Sequence, residues 1–493
     1  MERETQSPLT AEAVAYAWQQ LARRAGIEGT ASDSAIPGEV QVLYELPRAT
    51  VGATRSITIV PCADNAWWDL LALSPGSLDW VPIDEALPDG TSLDPAIEIP
   101  VLFWGEGCDS SHHPFAELQG QNSVVFYADI LAATFFMLSR WEETVAGQED
   151  EHGRQSALGS VSYKQGFLDW PLVDLYALVL RGWLQRLAPD WKPHAGTFSV
   201  QLSHDIDQLT RRFRTPGAFV RTLGGDLLRR RNLGLALQTV ADALAQVFAP
   251  SSLCYARSID RFVTLSLQHG FGDDVFFIKT AQSATYDDND YSVASPKVRE
   301  RIARLKAKGF AIGLHPGYWT LGDPQRLRAE KSRLDAVLGS TAYGARQHYL
   351  RFRVPDSWRD MSEAGLTYDA SAAYADHEGF RCGTCHPYRP FDVEQNRVLD
   401  IVEVPLIAMD ATLINYRKLD PDAALARILE LAERCRLVEG VFTLLWHNTM
   451  LCGTFRQWAS TYERALGALA AMMVNADSAP AQARCQTGST RQR

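Results

Sequence analysis

The 493-residue chain lacks the features that mark several classes of protein. Its most apolar run, residues 130–138 between Asp129 and Arg140, is far shorter than the roughly 20 residues of a membrane span and indicates a buried helix. The polar, acidic start contains no apolar segment of a signal peptide. A net charge of −11 argues against general nucleic-acid binding, which requires a basic face. We therefore expect a cytoplasmic protein with no nucleic-acid partner.

The chain also lacks a dense set of cysteines, since eight are scattered over its length. This usage favours reduced thiols over a disulfide framework. Cys382 and Cys385, followed by His386, match the spacing of c-type haem attachment. The absence of an export signal and of a clear axial partner argues against haem, and a zinc ribbon would need a second cysteine pair. We interpret this motif as a glycine turn that carries two reduced thiols.

The length allows two or three domains. A segment rich in helix breakers, residues 188–196, marks a boundary. We predict a smaller, mixed α/β N-terminal domain at residues 1–195, a second domain at 196–478 and a disordered polar tail at 479–493. In the first domain we predict strands at 40–44, 55–60 and 99–104, and helices at 126–143 and 171–187. Its residue types do not indicate a chemistry.

Four predicted strands of the second domain end in charged or imidazole side chains. Residues 198–202 alternate apolar and polar side chains, which is typical of a strand, and are followed by Asp205 and Asp207. The strand at 310–314 leads to His315, and the strand at 441–446 leads to His447. A further strand, predicted at 342–350, contains two more such residues, Arg346 and His348. Alternating strands and helices predict a parallel sheet, whose carboxyl edge would collect these residues.

Such a group fits metal-assisted hydrolysis. A divalent ion held by histidine and carboxylate lowers the pKa of its bound water towards ~7 and polarises a carbonyl oxygen. A free carboxylate can then accept the water proton, and a second group can protonate the leaving nitrogen. Each residue taken alone is more often structural, and an aspartate-rich turn that caps a strand is the simplest alternative.

At these motifs the sequence resembles the polysaccharide deacetylases of the NodB-homology type, in an atypical subgroup with an extra N-terminal domain. The resemblance covers about residues 196–478 and implies a distorted (β/α) barrel. It implies that Asp205 is the catalytic base, that Asp207 and His315 bind metal, and that His447 is the general acid. The segment that starts with Arg346 is similar to the motif whose arginine holds the catalytic aspartate.

One position departs from the family pattern. The second metal histidine would lie four residues after His315, where this chain has Trp319, and an indole offers only an N–H donor. His348 is the candidate for the third ligand, because on an extended strand it would share a face with Arg346. The alternatives are water, a remote carboxylate, or a His348 that only packs against Tyr349 and Phe352.

The resemblance implies a metal-dependent hydrolase, with zinc the expected ion, that removes N-acetyl groups from an amino sugar. The carbohydrate substrate would be a polysaccharide unit or a precursor, lipid- or nucleotide-linked. A catalytically degenerate barrel that binds glycan or scaffolds polysaccharide synthesis is the alternative. The arginine-rich stretch from Arg211 to Arg231 is either a solvated helix face or a patch for anionic lipid headgroups or pyrophosphate. The sequence does not predict an oligomeric state.

Overall fold

The computed structural model describes residues 8–27, 40–46, 55–91, 93–94, 96–194, 196–209, 216–248, 254–282, 284–287 and 289–478. The predicted tail at 479–493 lies outside these ranges, as do Arg211, Arg212 and Arg214. Within the described residues, no helix has the length and hydrophobicity needed to span a membrane.

The N-terminal segment contains a four-stranded sheet in the order β1-β2-β6-β5 and a separate β3-β4 pair. The β1-β2 and β2-β6 pairs are parallel, whereas β5-β6 and β3-β4 are antiparallel. The strands predicted near positions 40, 55 and 99 are confirmed. The six strands are β1 (Gln41–Tyr44), β2 (Ser56–Ile59), β3 (Asp79–Pro82), β4 (Glu98–Val101), β5 (Ala116–Gln119) and β6 (Ser123–Phe126).

The described part of this segment also contains the α-helices α1 (Ala11–Ala25), α2 (Ala66–Ala72), α3 (Ile83–Ala86), α4 (Ile130–Ser139), α5 (Trp141–Val145), α6 (Val161–Lys164) and α7 (Leu172–Leu187). The prediction of one helix over 126–143 is wrong at both ends. Asp129 caps α4 by accepting from the amides of Leu131 and Ala132, because a carboxylate satisfies free N–H groups of the first turn. Arg140 then adopts a left-handed conformation (φ 55°) and separates α4 from α5.

The C-terminal segment contributes nine strands: β7 (Ser199–Ile206), β8 (Val275–Lys279), β9 (Ala311–His315), β10 (Tyr368–Asp369), β11 (Phe391–Asp392), β12 (Arg397–Val398), β13 (Val402–Glu403), β14 (Ala408–Met409) and β15 (Val441–Leu445). Its helices are α8 (Pro216–Gly224), α9 (Leu233–Phe248), α10 (Cys254–Gln268), α11 (Pro296–Ala307), α12 (Pro324–Leu338), α13 (Asp356–Glu363), α14 (Pro421–Leu437) and α15 (Trp458–Ser478). Ser295 caps α11 with Pro296 in its first turn, a position that suits proline because its missing N–H would be unpaired there.

The strands of this segment follow a nearly circular order. A parallel sheet runs β14-β15-β7-β8-β9, and parallel bridges continue it from Leu314 to Ala345 and from Ala345 to Asp369 of β10. Strand β10 then pairs in parallel with β13. Apart from the separate β11-β12 pair, the strands follow one another in this order as they do in the chain, and the last strand, β15, pairs with the first, β7. No ladder joins the described strands β13 and β14, which leaves one gap in the circle.

The predicted α/β class with a parallel sheet is confirmed by these pairings. The predicted strand at 342–350 is wrong in extent, because only Ala345 pairs with its neighbours and residues His348–Leu350 form a 3₁₀ turn. The prediction that the cysteines are reduced also fails at two positions. Cys254 and Cys452, which are 198 residues apart in sequence, are disulfide-bonded with their Cα atoms 6.2 Å apart, a proximity that sequence spacing does not reveal.

Candidate active site and metal centre

The carboxyl ends of the parallel strands surround a pocket of about 470 Å³. Asp205 and Asp207 reach it from the end of β7 and His315 from the end of β9. His447 reaches it as the second residue after β15. His348 also lines it. The sheet therefore brings most of the residues that sequence analysis selects to one cavity.

Three of them lie close enough to share one cation. Asp207 Oδ1 is 3.3 Å from His315 Nε2 and 3.4 Å from His348 Nε2, and the three ligand atoms all lie within 4.8 Å of one another. Nitrogen and oxygen ligands at tetrahedral zinc are about 3.3 Å apart, given bond lengths of roughly 2.0–2.1 Å. The donor types and spacings thus fit a zinc-like ion.

The other nitrogen of each histidine is held from behind. His315 Nδ1 lies 2.6 Å from the carbonyl oxygen of Arg346, and His348 Nδ1 lies 3.0 Å from Asp287 Oδ1. This arrangement turns both Nε2 atoms towards Asp207, as the outer partners of metal-binding histidines do. Burial lowers the pKa of His348 although Asp287 opposes this effect, which favours the neutral imidazole that a metal requires.

Two atoms of the cluster have no hydrogen-bond partner among the described residues. Asp207 Oδ1 and His315 Nε2 are both buried and both unsatisfied. Burial acts to raise the pKa of Asp207, but the His315 imidazole and the charges of His348, His447 and Lys279 lower it well below its usual range. Leaving buried polar atoms without partners costs roughly 1–3 kcal/mol each. A bound cation would satisfy both of them.

Asp205 has different neighbours from Asp207. Its side chain is only 3% exposed, and its Oδ1 accepts a hydrogen bond from Arg346 Nη1 at 3.2 Å. The guanidinium of Arg346 is itself fixed by Ser203 Oγ, by the carbonyl oxygen of Ala370 and by the ring of Phe277, 4.6 Å from its centroid. Asp205 Oδ2 lies 3.8 Å from His315 Nε2 and 3.9 Å from His447 Nε2.

His447 is held by an aspartate that the sequence analysis does not identify. Asp410 Oδ1 lies 2.6 Å from His447 Nδ1, and Asp410 Oδ2 accepts from the His447 amide at 2.6 Å. Burial acts to lower the pKa of His447, but the carboxylates of Asp410, Asp207 and Asp205 outweigh it and raise the pKa to about 10. The imidazole is therefore protonated at neutral pH and presents a proton at Nε2.

Four charged residues at or behind the pocket are missed by the sequence analysis. Arg154 and Lys279 line the pocket, whereas Asp287 and Asp410 hold His348 and His447 from behind. Lys279 and Asp410 directly follow buried strand residues, so the position that singles out His315 could have revealed them. Asp287 belongs to an acidic stretch of sequence, residues 286–291, in which a single carboxylate does not stand out. Arg154 comes from the N-terminal segment, and its donation to the carbonyl oxygen of Tyr349 and to Tyr416 Oη has no signal in the sequence.

Several other candidates lie apart from the cluster. His204 points to the opposite face of β7, where it stacks on Phe262 at 3.8 Å and its Nδ1 lies 3.0 Å from the carbonyl oxygen of Trp446. Trp319 is 42% exposed, and its indole donates to the carbonyl oxygen of Thr285. Cys382 and Cys385 are buried free thiols beside a glycine turn, with Gly383 at φ 63°, as predicted.

Comparisons with known proteins add little to this picture. A family model described only as a family of unknown function (DUF7033) matches residues 89–189. No curated protein matches the chain. Among solved structures, the chain is similar to a Mycobacterium smegmatis protein described as a presumed polysaccharide deacetylase. The identity is 15%, the match covers 61% of this chain and 95% of that chain, and the TM-score is 0.36. This similarity is too low to assign the chain to a family.

Proposed function

We propose that the C-terminal segment is a metal-dependent hydrolase on a distorted (β/α) barrel of the polysaccharide deacetylase type. Its reaction would remove N-acetyl groups from an amino-sugar unit of a polysaccharide or of its biosynthetic precursor. The observation that carries the proposal is the meeting of a possible metal triad, an arginine-bound aspartate and a protonated histidine in one pocket. The nearly circular strand order supports the barrel.

Asp207, His315 and His348 would hold the ion. When bound, a divalent ion such as zinc makes a water molecule more acidic and polarises a carbonyl oxygen. Asp205 accepts the proton of the attacking water while Arg346 keeps its carboxylate in place. The water oxygen bonds to the acyl carbon, the carbon–nitrogen bond breaks, and His447 gives its Nε2 proton to the leaving nitrogen. Acetate and a free amine are the products.

The test is metal analysis of the purified protein together with acetate release from N-acetylated sugars, free and linked to lipid or nucleotide. We expect about one divalent ion per chain, and acetate release that chelation abolishes and added zinc restores. A protein that contains no metal and that zinc does not activate would contradict the proposal. Action in the cytoplasm stays a prediction that this assay does not address.

Glycan binding without turnover is a second candidate, favoured by the aromatic rim of the pocket. Tyr286, Tyr349 and Tyr416 line the pocket and are 44%, 39% and 45% exposed, and exposed aromatic faces suit contact with sugar rings. If the wild type and Asp205→Asn bind an N-acetylated oligosaccharide equally well and neither releases acetate, the binding function replaces the hydrolase.

A further inference from the structure

Lys279 occupies the row of side chains that contains two of the candidate metal ligands. It is the last residue of β8 and the register partner of His315 on β9. On the other side, Ile206 of β7 pairs with Ile278, so the next position of β7, Asp207, falls opposite Lys279. Side chains in one row of a parallel sheet point to the same face. In the row across the three strands, Lys279 therefore occupies the position between those of Asp207 and His315, and it lines the same pocket.

The ammonium group of this lysine has no partner of its own. Lys279 is 1% exposed, yet no described residue forms a hydrogen bond or ion pair with Nζ. Nζ is not one of the fully enclosed side-chain atoms that lack a partner, so it opens onto the pocket that Lys279 lines. A buried lysine whose ammonium group faces a cavity without a protein partner can donate to a group bound there.

We propose that Lys279 is a catalytic residue that binds the acyl oxygen of the substrate. This inference rests on the proposed hydrolase function. When water adds to the acyl carbon, the carbonyl electron pair moves onto that oxygen, and Lys279 Nζ donates a hydrogen bond to the developing negative charge. Loss of the amine, protonated by His447, restores the carbon–oxygen double bond. Lys279 then contacts the acetate carboxylate until it leaves.

The test compares Lys279→Met, Lys279→Arg and a control, Lys308→Met, whose lysine is exposed at the C-terminal end of α11. We expect Lys279→Met to lower kcat by 10²–10³-fold, as the loss of one oxyanion donor does, with KM within about threefold and metal content retained. Lys279→Arg should recover part of the rate. Lys308→Met should match the wild type.

Acetate binding gives a readout that does not require turnover. The acetate methyl NMR signal should broaden when the wild type or Lys308→Met is added. It should stay sharp when Lys279→Met is added. If the wild type binds no acetate, or if Lys279→Met keeps both acetate binding and kcat, the assignment of Lys279 is overturned. If the wild type binds acetate through Lys279 but hydrolyses no N-acetyl sugar, the anion site stands and only the proposed reaction fails.

A second, independent observation concerns the arm formed by residues 216–248, which comprises α8, α9 and the turn between them. Six of the chain's exposed large apolar side chains lie on this arm: Val220, Leu227, Leu228, Leu233, Leu237 and Leu244, which are 43–82% exposed. Arg221, Arg229 and Arg231 are exposed among them. The arm therefore combines apolar and basic side chains on a chain of net charge −11.

The arm is attached beside the pocket. Asp226 is buried at its corner, where it accepts hydrogen bonds from Arg230 and Thr239. Buried Leu235 and Ala236 form the inner face of α9, and α9 packs on the turn Gly453–Phe455. Phe455 lines the pocket on the side of His447. A surface that bound this arm would thus lie next to the pocket.

We infer that the arm docks on an anionic lipid bilayer. Leucines that enter the interface and arginines that meet phosphate headgroups would satisfy both kinds of side chain. A second copy of the arm would cover the leucines, but it would bring arginines of like charge close together. Docking on a bilayer would bring the pocket close to a lipid-linked sugar. This consequence rests on the proposed function, whereas the docking itself does not.

The test is sedimentation with vesicles of phosphatidylcholine, with and without one third phosphatidylglycerol. We expect the wild type to bind the anionic vesicles only and to be released by 0.5 M salt. The double variants Leu228→Glu/Leu233→Glu and Arg229→Glu/Arg231→Glu should lose binding. Leu158→Glu and Arg389→Glu, at exposed sites elsewhere, should keep it. All variants should retain the wild-type rate on a water-soluble substrate.

Two outcomes would overturn the inference. The first is a wild type that does not bind anionic vesicles. The second is vesicle binding that no variant changes, together with a wild type that is dimeric and a leucine variant that is monomeric by light scattering. The arm would then be a contact between two copies of the chain.

Discussion

Asp205 lies in β7 and Asp207 directly follows that strand, but their surroundings assign them different tasks. The Asp205 side chain is 3% exposed and is bound by a buried guanidinium. The side chain of Asp207 is 24% exposed, and its Oδ1 faces the two histidine Nε2 atoms. A carboxylate that faces imidazole nitrogens without hydrogen bonds suits a cation, whereas one that an arginine holds suits proton transfer.

The first prediction separates these tasks. We expect Asp205→Asn to bind metal with wild-type stoichiometry and to lose at least about 10²-fold in rate, because the base is removed. Asp207→Asn should lose metal instead, because an amide oxygen is a weaker ligand than a carboxylate. Elemental analysis after gel filtration and acetate release measure both. Purification of Asp205→Asn without metal would reverse the two assignments.

The second prediction concerns His348 and the carboxylate behind it. His348→Ala and His315→Ala should both lose the ion, since a hydrolytic zinc site normally keeps three protein ligands. Asp287→Asn should weaken zinc binding by about 10–100-fold, because Asp287 orients the ligand nitrogen. Asp273→Asn removes an exposed charge at the other end of β8 and should not change the affinity. Zinc titration against a competing chelator measures each. A His348→Ala protein with wild-type affinity would exclude the three-ligand site.

Elements defined by strong local patterns were predictable, and those defined by tertiary contacts were not. The alternation before Asp205 correctly locates β7, and the Ser-Pro start of α11 is a local signal of the same kind. The segment of His348 was expected to be a strand, but it forms a 3₁₀ turn in which Tyr349 has a positive φ of 63°. His348 was selected because on a strand it would share a face with Arg346. It reaches the site instead because the chain bends at this turn.

The same limit explains why the partner of His348 is missed. Asp287 acts on His348 from 61 residues away along the chain, whereas Asp410, which is 37 residues from His447, lies at a strand end as His315 does. Histidines and aspartates at strand ends stand out in a sequence, because a charged group after an apolar run is unusual. A carboxylate in an acidic loop does not stand out, since most such groups are solvated.

The third prediction lies in α12, which supports the loop after His315. Glu330 Oε2 accepts from the Gly317 amide at 2.8 Å. Burial raises the pKa of Glu330 to about 7, against the smaller opposing effect of that hydrogen bond. The folded protein therefore binds this proton more tightly than the unfolded chain. Stability from Glu330 is complete below about pH 4.5 and is lost as the pH rises to about 7.

Glu330→Gln should remove this loss while its side-chain oxygen still accepts from Gly317. We expect the variant to gain on the order of 2–3 kcal/mol in free energy of unfolding at pH 8 relative to the wild type, and little at pH 5. Denaturant unfolding of the metal-free proteins at the two pH values measures the difference. An equal effect at both pH values would show that Glu330 does not titrate in this way.

At the scale of the whole molecule, the N-terminal segment and the parallel sheet share one core. Buried residues from both segments belong to a single apolar cluster, and Phe135 of α4 meets Phe391 of β11 with ring centroids 5.1 Å apart. Asp174 of α7 accepts from Thr384 Oγ1 and from the Cys385 amide. The predicted boundary near residue 195 thus separates two stretches of sequence whose interiors are continuous.

The fourth prediction tests this dependence at one ion pair. Glu143 of the N-terminal segment accepts two hydrogen bonds from Arg381, at 2.9 and 2.6 Å, and one from Arg140. All three side chains are less than 5% exposed. Burial acts to raise the pKa of Glu143, but the two guanidinium groups lower it overall, so the carboxylate is charged at neutral pH.

Glu143→Ala would leave Arg381 buried without its carboxylate. Breaking a buried pair in this way costs roughly 3–5 kcal/mol, and we expect that loss in the denaturant unfolding of the full chain. Asp400→Ala removes the partner of Arg389 at an exposed pair and should cost less than about 1 kcal/mol. Because the core is continuous, unfolding of Glu143→Ala should stay a single transition when followed by tryptophan fluorescence and by circular dichroism. Two separate transitions, with the sheet stable while the N-terminal segment unfolds, would show instead that the segments fold independently.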